Sequence, residues 1–186
     1  MSALVRCKAC GYIMDSSKLG EVCPACGVPA KQFEPFDDHV SDKRRRLLDL
    51  HIHPVIVHAP QAFSLTLVVL SFFVGFASGR FGALVTDAAR FIGVAFPLVV
   101  FAAFASGLYD GKLRFRKTTT PILKRKRFYG TLFFIASLLV GWMALMSPLD
   151  APLTVSIFGV LSAAGLACGT MLGFLGTPLL VAKFPG

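Results

Sequence analysis

Four apolar runs, near residues 55–78, 84–109, 128–147 and 153–181, constrain this chain more than any other feature. A helix rises about 1.5 Å per residue, so each run is long enough to cross roughly 30 Å of hydrocarbon. Of the 186 residues, 55% are hydrophobic and the net charge is +9. That apolar fraction is too high for a soluble domain of this size and too blocky for amphipathic helices. The expected fold over residues 53–186 is an all-α four-helix transmembrane bundle. Pro97 falls inside the second run, where it should free the Gly93 carbonyl and kink the helix. Gly75 and Gly79, and Gly165, Gly169 and Gly173, recur every four residues, a spacing that lets helices approach closely. Trp142 reads as an interface anchor, Met143 and Met146 as gap fillers and Cys168 as a small packing residue.

Charge predicts the orientation. Lys112, Arg114, Arg116, Lys117 and Lys124 to Arg127 crowd the connection between the second and third runs. Four basic residues, Lys43 to Arg46, precede the first run, and Lys183 follows the last. The other two connections carry only Arg80 and Arg90, against Asp87 and Asp150. The positive-inside rule puts both termini and the basic connection in the cytoplasm, for a multi-pass protein of the inner membrane. This accounts for the basic runs without a nucleic-acid role. Residues 37–52 read as a linker, with Ser41 or Asp42 capping a short basic helix at the lipid headgroups, or as a disordered tether. The polar start of the chain does not read as a signal peptide.

Ahead of the linker stands Cys7-Lys8-Ala9-Cys10 and then Cys23-Pro24-Ala25-Cys26, a C-x2-C-x12-C-x2-C pattern with glycine after each pair (Gly11, Gly27). Four thiolates so spaced form a tetrahedral cage for iron or zinc. Each glycine permits the positive φ of a tight turn whose N–H groups point at sulfur. Two disulfides are the alternative, but paired CxxC-Gly units read as metal knuckles. The segment resembles the rubredoxin-like domain of rubrerythrins on Cys7, Cys10, Gly11, Tyr12, Cys23, Pro24, Cys26, Gly27, Pro29, Lys31, Phe33 and Phe36. The resemblance implies a small β-hairpin domain over residues 1–36 that holds one redox-active iron. A structural zinc ribbon uses the same ligands.

A second cluster, His51 to Pro60, opens the first apolar run. Pro54 suits the first helical position, which would make His53 a neighbour of the cap. His58 lies about one turn further in, where an ionisable group needs a partner. His53-Pro54-Val55-Ile56-Val57-His58-Ala59-Pro60 and Gly107-Leu108-Tyr109-Asp110-Gly111 resemble DUF2231, a family of small bacterial membrane proteins of uncharacterised function. A histidine that many of its members carry at the start of the third helix is absent here, where the chain reads Lys126-Arg127-Phe128-Tyr129-Gly130. His53 and His58 could ligate haem b, one from each chain of a dimer, since residues five apart point about 140° apart on one helix. They could also form a non-haem metal or quinone site with Asp110. The structural alternative has His53 capping the helix and His58 bonding Asp110 or Tyr109. The Thr118 to Pro121 segment reads as a turn.

The expected function is membrane-tethered electron transfer. A soluble donor, such as a rubredoxin reductase or ferredoxin, would reduce the four-cysteine centre. The acceptor would lie in the membrane near His53 and His58, or in a homo-oligomer or larger redox complex. The chain would thus be an electron carrier or a component of an oxidoreductase. Two rivals remain: a zinc ribbon that binds a partner, with the helices as anchor, and a metal-sensing transporter or channel.

Overall fold

The computed structural model describes residues 4–37, 40–116 and 119–180. The chain divides into two compact units, residues 1–45 and residues 46–185. His39 of the linker, Thr118 of the polar turn, and Lys117 and Lys183 of the charge count lie outside the described residues.

The first unit is a three-stranded antiparallel sheet. Its strands are β1 (Leu4–Cys7), β2 (Ile13–Asp15) and β3 (Phe33–Phe36), in the order β2-β1-β3. Register pairs Leu4 with both Asp15 and Phe36, and Cys7 with Phe33. Arg6 joins the outer strand through an ion pair with Glu34, and its guanidinium lies 5.6 Å above the Phe36 ring. The core is minimal. Among the described residues of this unit the buried hydrophobic side chains are Cys7, Cys23 and Val40. A sheet with so little apolar interior depends on what its cysteines hold.

Two short helices follow, α1 (Asp42–Asp49) and α2 (Ile52–Ile56), then four long ones: α3 (His58–Phe76), α4 (Gly79–Phe115), α5 (Pro121–Met146) and α6 (Pro152–Leu180). All four long elements are apolar enough to cross a membrane. Each long helix packs on two others, in the ring α3-α4-α5-α6, so neighbours run antiparallel. Leu67, Phe96, Phe133, Val140 and Phe158 meet at the centre. Outward faces carry exposed Phe72, Phe91, Leu98, Trp142 and Phe174, the reverse of a water-soluble bundle. The buried hydroxyls of Ser64 and Ser162 donate to the Pro60 and Phe158 carbonyls one turn back, at 2.6 and 2.8 Å, and so are satisfied without water.

Several expectations change at the start of the bundle. Pro54 does not open the helix. His51 is the N-cap of α2, with φ +49°, and Pro54 takes the third helical position. His53 therefore lies inside the turn and its side chain is not a cap. The first apolar run is also not one helix. It breaks at Val57, because Pro60 has no N–H to donate to the Ile56 carbonyl. By contrast α4 continues through Pro97. Gly141 of α5 leaves room there: a Cβ would sit 3.1 Å from the Pro97 ring and 3.4 Å from the Gly93 carbonyl oxygen.

The charged connections are shorter than the apolar runs imply. Asp87, Arg90, Lys112 and Arg114 are helical residues of α4, and Lys124 to Arg127 belong to α5. Helices continue past their apolar stretch wherever charged side chains can reach water. Arg90 donates to the Ala144 and Ser147 carbonyls at 3.4 and 3.2 Å, capping the C-terminal end of α5. Thr120 accepts from the Leu123 N–H and caps the start of α5, with Pro121 at the first helical position. The glycine spacing divides in meaning. A Cβ on Gly75 or Gly79 would meet nothing within 4 Å, whereas Gly165 and Gly169 receive the Phe133 ring from α5.

Candidate metal centre and bundle cavity

Each CxxC pair forms the same knuckle. Cys7 N–H donates to the Tyr12 carbonyl and Gly11 N–H to the Cys7 carbonyl, at 2.8 and 2.9 Å. Cys23 N–H to Val28 and Gly27 N–H to Cys23 repeat the pattern at 2.8 and 2.9 Å. Gly11 and Gly27 have φ +77° and +76°, a region where a Cβ would crowd the backbone. Their small size is not otherwise used, since nothing lies within 4 Å of either.

The knuckles bring the four sulfurs within 4.8 Å of one another. Cys7 Sγ to Cys26 Sγ is 3.8 Å, as is Cys10 Sγ to Cys23 Sγ. A tetrahedral ion with metal–sulfur bonds of about 2.3 Å needs sulfurs about 3.8 Å apart. A disulfide needs about 2.05 Å, so the observed spacing is that of a metal cage. Cys7 and Cys23 are 0% and 1% exposed, while Cys10 and Cys26 lie at the surface.

The thiols do not share their protons evenly. Desolvation works to raise the Cys23 thiol, but N–H groups of Cys26 and Ala25, with the Cys26 and Cys10 thiols, outweigh it and hold it down at about 7. Cys26 goes the other way. The Val28 N–H lowers it, yet desolvation and the sulfurs of Cys10, Cys23 and Cys7 push it up to about 12. Cys23 is readily a thiolate, and holding Cys26 as a thiolate beside it requires a cation.

The second unit holds a cavity of about 340 Å³. It lies at the end of the bundle where α3 and α5 begin and α4 and α6 finish. Its walls include His53, His58 and Asp110, the three histidine-cluster candidates, together with Gln61, Arg114 and Lys126. Arg114, 6% exposed, donates to Asp110 Oδ2 at 2.7 Å one turn away on α4. Gln61 Nε2 donates to the Gly169 carbonyl at 2.9 Å, tying α3 to α6. His53 is the more constrained histidine. Its Nδ1 lies 3.0 Å from Ser106 Oγ, and Ser106 donates its single hydroxyl proton to the Ala103 carbonyl at 2.9 Å. With the Ser106 proton on that carbonyl, Ser106 Oγ is left to accept from an Nδ1–H, the tautomer in which Nε2 keeps its lone pair. A hydrogen-bonded Nδ1 and a free Nε2 suit an acceptor or ligand role.

Three participants were not among the candidates named from the sequence. Lys126 stands near the start of the third long helix and lines the cavity. Arg114 looks in the sequence like one more orienting charge. Gln61, the third residue after His58 and inside an apolar run, was the one legible signal: a polar side chain there needs a partner. Met143 packs on the core and Met146 is exposed, so the two do not converge.

The family described as rubrerythrin, rubredoxin-like domain, matches residues 6–34, which include all four cysteines. Neither the curated proteins nor the solved structures yield a match to the chain.

Proposed function

We propose that this protein carries single electrons between a soluble donor and a membrane acceptor, as a rubredoxin-type domain tethered to four transmembrane helices. The observation that carries the reading is the set of four sulfurs at the spacing of a tetrahedral ion, within residues similar to the rubrerythrin domain. Iron bound in such a cage supplies one-electron chemistry. Cys7 and Cys23 anchor the interior, and the N–H bonds to Cys23 and Cys26 sulfur favour their thiolate forms. Cys10 and Cys26, at the surface, offer the side on which a donor such as a rubredoxin reductase or ferredoxin would approach.

The acceptor is proposed for the bundle cavity, where His53 and His58 stand with Asp110. Resemblance of residues 51–182 to DUF2231 supports treating that region as a membrane domain with a site of its own. The excess of Lys and Arg at the cavity end supports cytoplasmic termini and an inner-membrane location. A quinone or non-haem metal site beside His53 and His58, and a dimer or larger redox complex around the bundle, belong to the same reading.

The test is the absorption spectrum of the full-length purified protein with metal analysis. One iron per chain, red when oxidised and bleached on reduction, is the expected result. A colourless protein with one zinc would overturn electron transfer in favour of the zinc ribbon that binds a partner.

A further inference from the structure

We propose that the bundle cavity binds the headgroup of a membrane quinone, in its quinone and quinol forms. This names the class of acceptor for the cavity. It does not require the four-cysteine centre to hold iron, since it rests on the bundle alone.

The cavity is apolar over most of its wall, with Val57, Val100, Phe104, Phe133 and Leu172 around it, and polar at a few fixed points. That is the composition of a site for a lipophilic molecule with few polar atoms. The polar points are of two kinds. His53 offers a lone pair at Nε2 in the Nδ1–H tautomer, which a Ser106 hydroxyl turned to the Ala103 carbonyl favours. Lys126 offers only donors. A ligand that suits both must donate to one and accept from the other. A quinol meets both demands, since its hydroxyls donate and accept; the quinone keeps the bond from Lys126 through a carbonyl, and the oxygens stand at opposite edges of a flat ring.

Packing and charge agree with this. Glycines from three helices, among them Gly107, Gly130, Gly173 and Gly176, form part of the lining. The His53 ring lies on Gly107, where a Cβ would stand 2.9 Å from Cε1. The Lys126 ammonium lies beside Gly176, 3.3 Å from where a Cβ would be. At Gly130 the Phe104 ring takes the same kind of space, so these glycines let His53, Phe104 and Lys126 close on the cavity. Lys126 and Arg114 against Asp110 leave the site with a positive excess, which favours a ligand whose oxygens gain negative charge on reduction. The surrounding helices are apolar enough to lie in lipid, where a quinone is dissolved.

Equilibrium dialysis of the full-length protein in detergent, with decylubiquinone and its quinol as probes, tests the proposal. Saturable binding of one probe per chain is expected. Lys126→Met removes the donor, and Gly176→Leu fills the cavity while displacing only the flexible lysine tip. Each should weaken binding about tenfold or more. Phe91→Leu, on an exposed face of α4, should bind as the parent does. If Lys126→Met does not elute as a folded protein, Gly176→Leu decides alone. Absence of saturable binding overturns the proposal. So does parental affinity in the folded cavity variants, or a Soret band from haem in the purified protein. A zinc-loaded, colourless protein that binds the probe would sink the electron-transfer reading and leave this one standing.

Discussion

His53 Nδ1 lies 3.0 Å from Ser106 Oγ, and that contact joins the short helix α2 to the long helix α4. With the serine proton on the Ala103 carbonyl, the contact holds the histidine in position and favours its Nδ1–H tautomer. The Ser106→Ala variant should therefore lose two things. The bundle should be about 1 kcal/mol less stable, the net worth of one hydrogen bond. Imidazole nitrogen shifts in the NMR spectrum should change from the Nδ1–H form to a mixture. A spectrum unchanged by the substitution would show that Ser106 does not hold the ring.

The Cys10→Ala variant removes one corner of the sulfur cage. With so few buried side chains in residues 1–45, the domain should lose both its metal and its fold. Metal analysis and the amide dispersion of that region read the two losses. Retention of one tightly held metal ion would mean that the cage is not the site.

Protons compete with metal for the same sulfurs. In the metal-free domain Cys23 stands at about 7 and Cys26 at about 12. Above pH 7 Cys23 has already lost its proton, while the Cys26 proton must still be displaced by metal throughout the neutral range. Below pH 7 Cys23 adds a further proton to displace. Apparent metal affinity should thus fall as pH falls, and more steeply below 7 than above it. Competition with a chelator at pH 6, 7 and 8 measures this, and an affinity independent of pH would contradict it.

Two glycines in the bundle should respond oppositely to alanine. At Gly130 a Cβ would lie 2.7 Å from Phe104 Cδ2, so Gly130→Ala forces that ring to move and should cost about 1–3 kcal/mol. At Gly75 a Cβ meets nothing within 4 Å, so Gly75→Ala should be neutral, or stabilise α3 by about 0.5–1 kcal/mol through helix propensity. Thermal unfolding in detergent compares them. Equal effects would mean that the helices are not packed as described.

Orientation is tested with cysteines placed at Arg80 and at Thr119, read against the unsubstituted chain. An impermeant thiol reagent applied to intact cells should label the cysteine at position 80 and spare the one at position 119. The opposite pattern would put the basic end of the bundle, with its cavity, outside the cell.

The sequence by itself determined the two-part architecture. Four cysteines at CxxC spacing, each pair followed by glycine, specify a local turn whose hydrogen bonds span six residues, so the knuckles were legible without tertiary information. Four apolar runs likewise specify four long helices, because in lipid the backbone must satisfy itself. What only the tertiary structure decided is the cavity. His53, Ser106 and Lys126 are separated by 53 and 20 positions, and no local pattern says that α2, α4 and α5 bring them to one end of a bundle. The same holds for the glycines. The same four-residue spacing relates Gly75 to Gly79 and Gly165 to Gly169, but α3 ends at Phe76 between the first two, and Gly169 faces Phe133 and Gln61 while Gly75 faces nothing. Spacing fixes which face of a helix a residue occupies, and only packing fixes what that face meets.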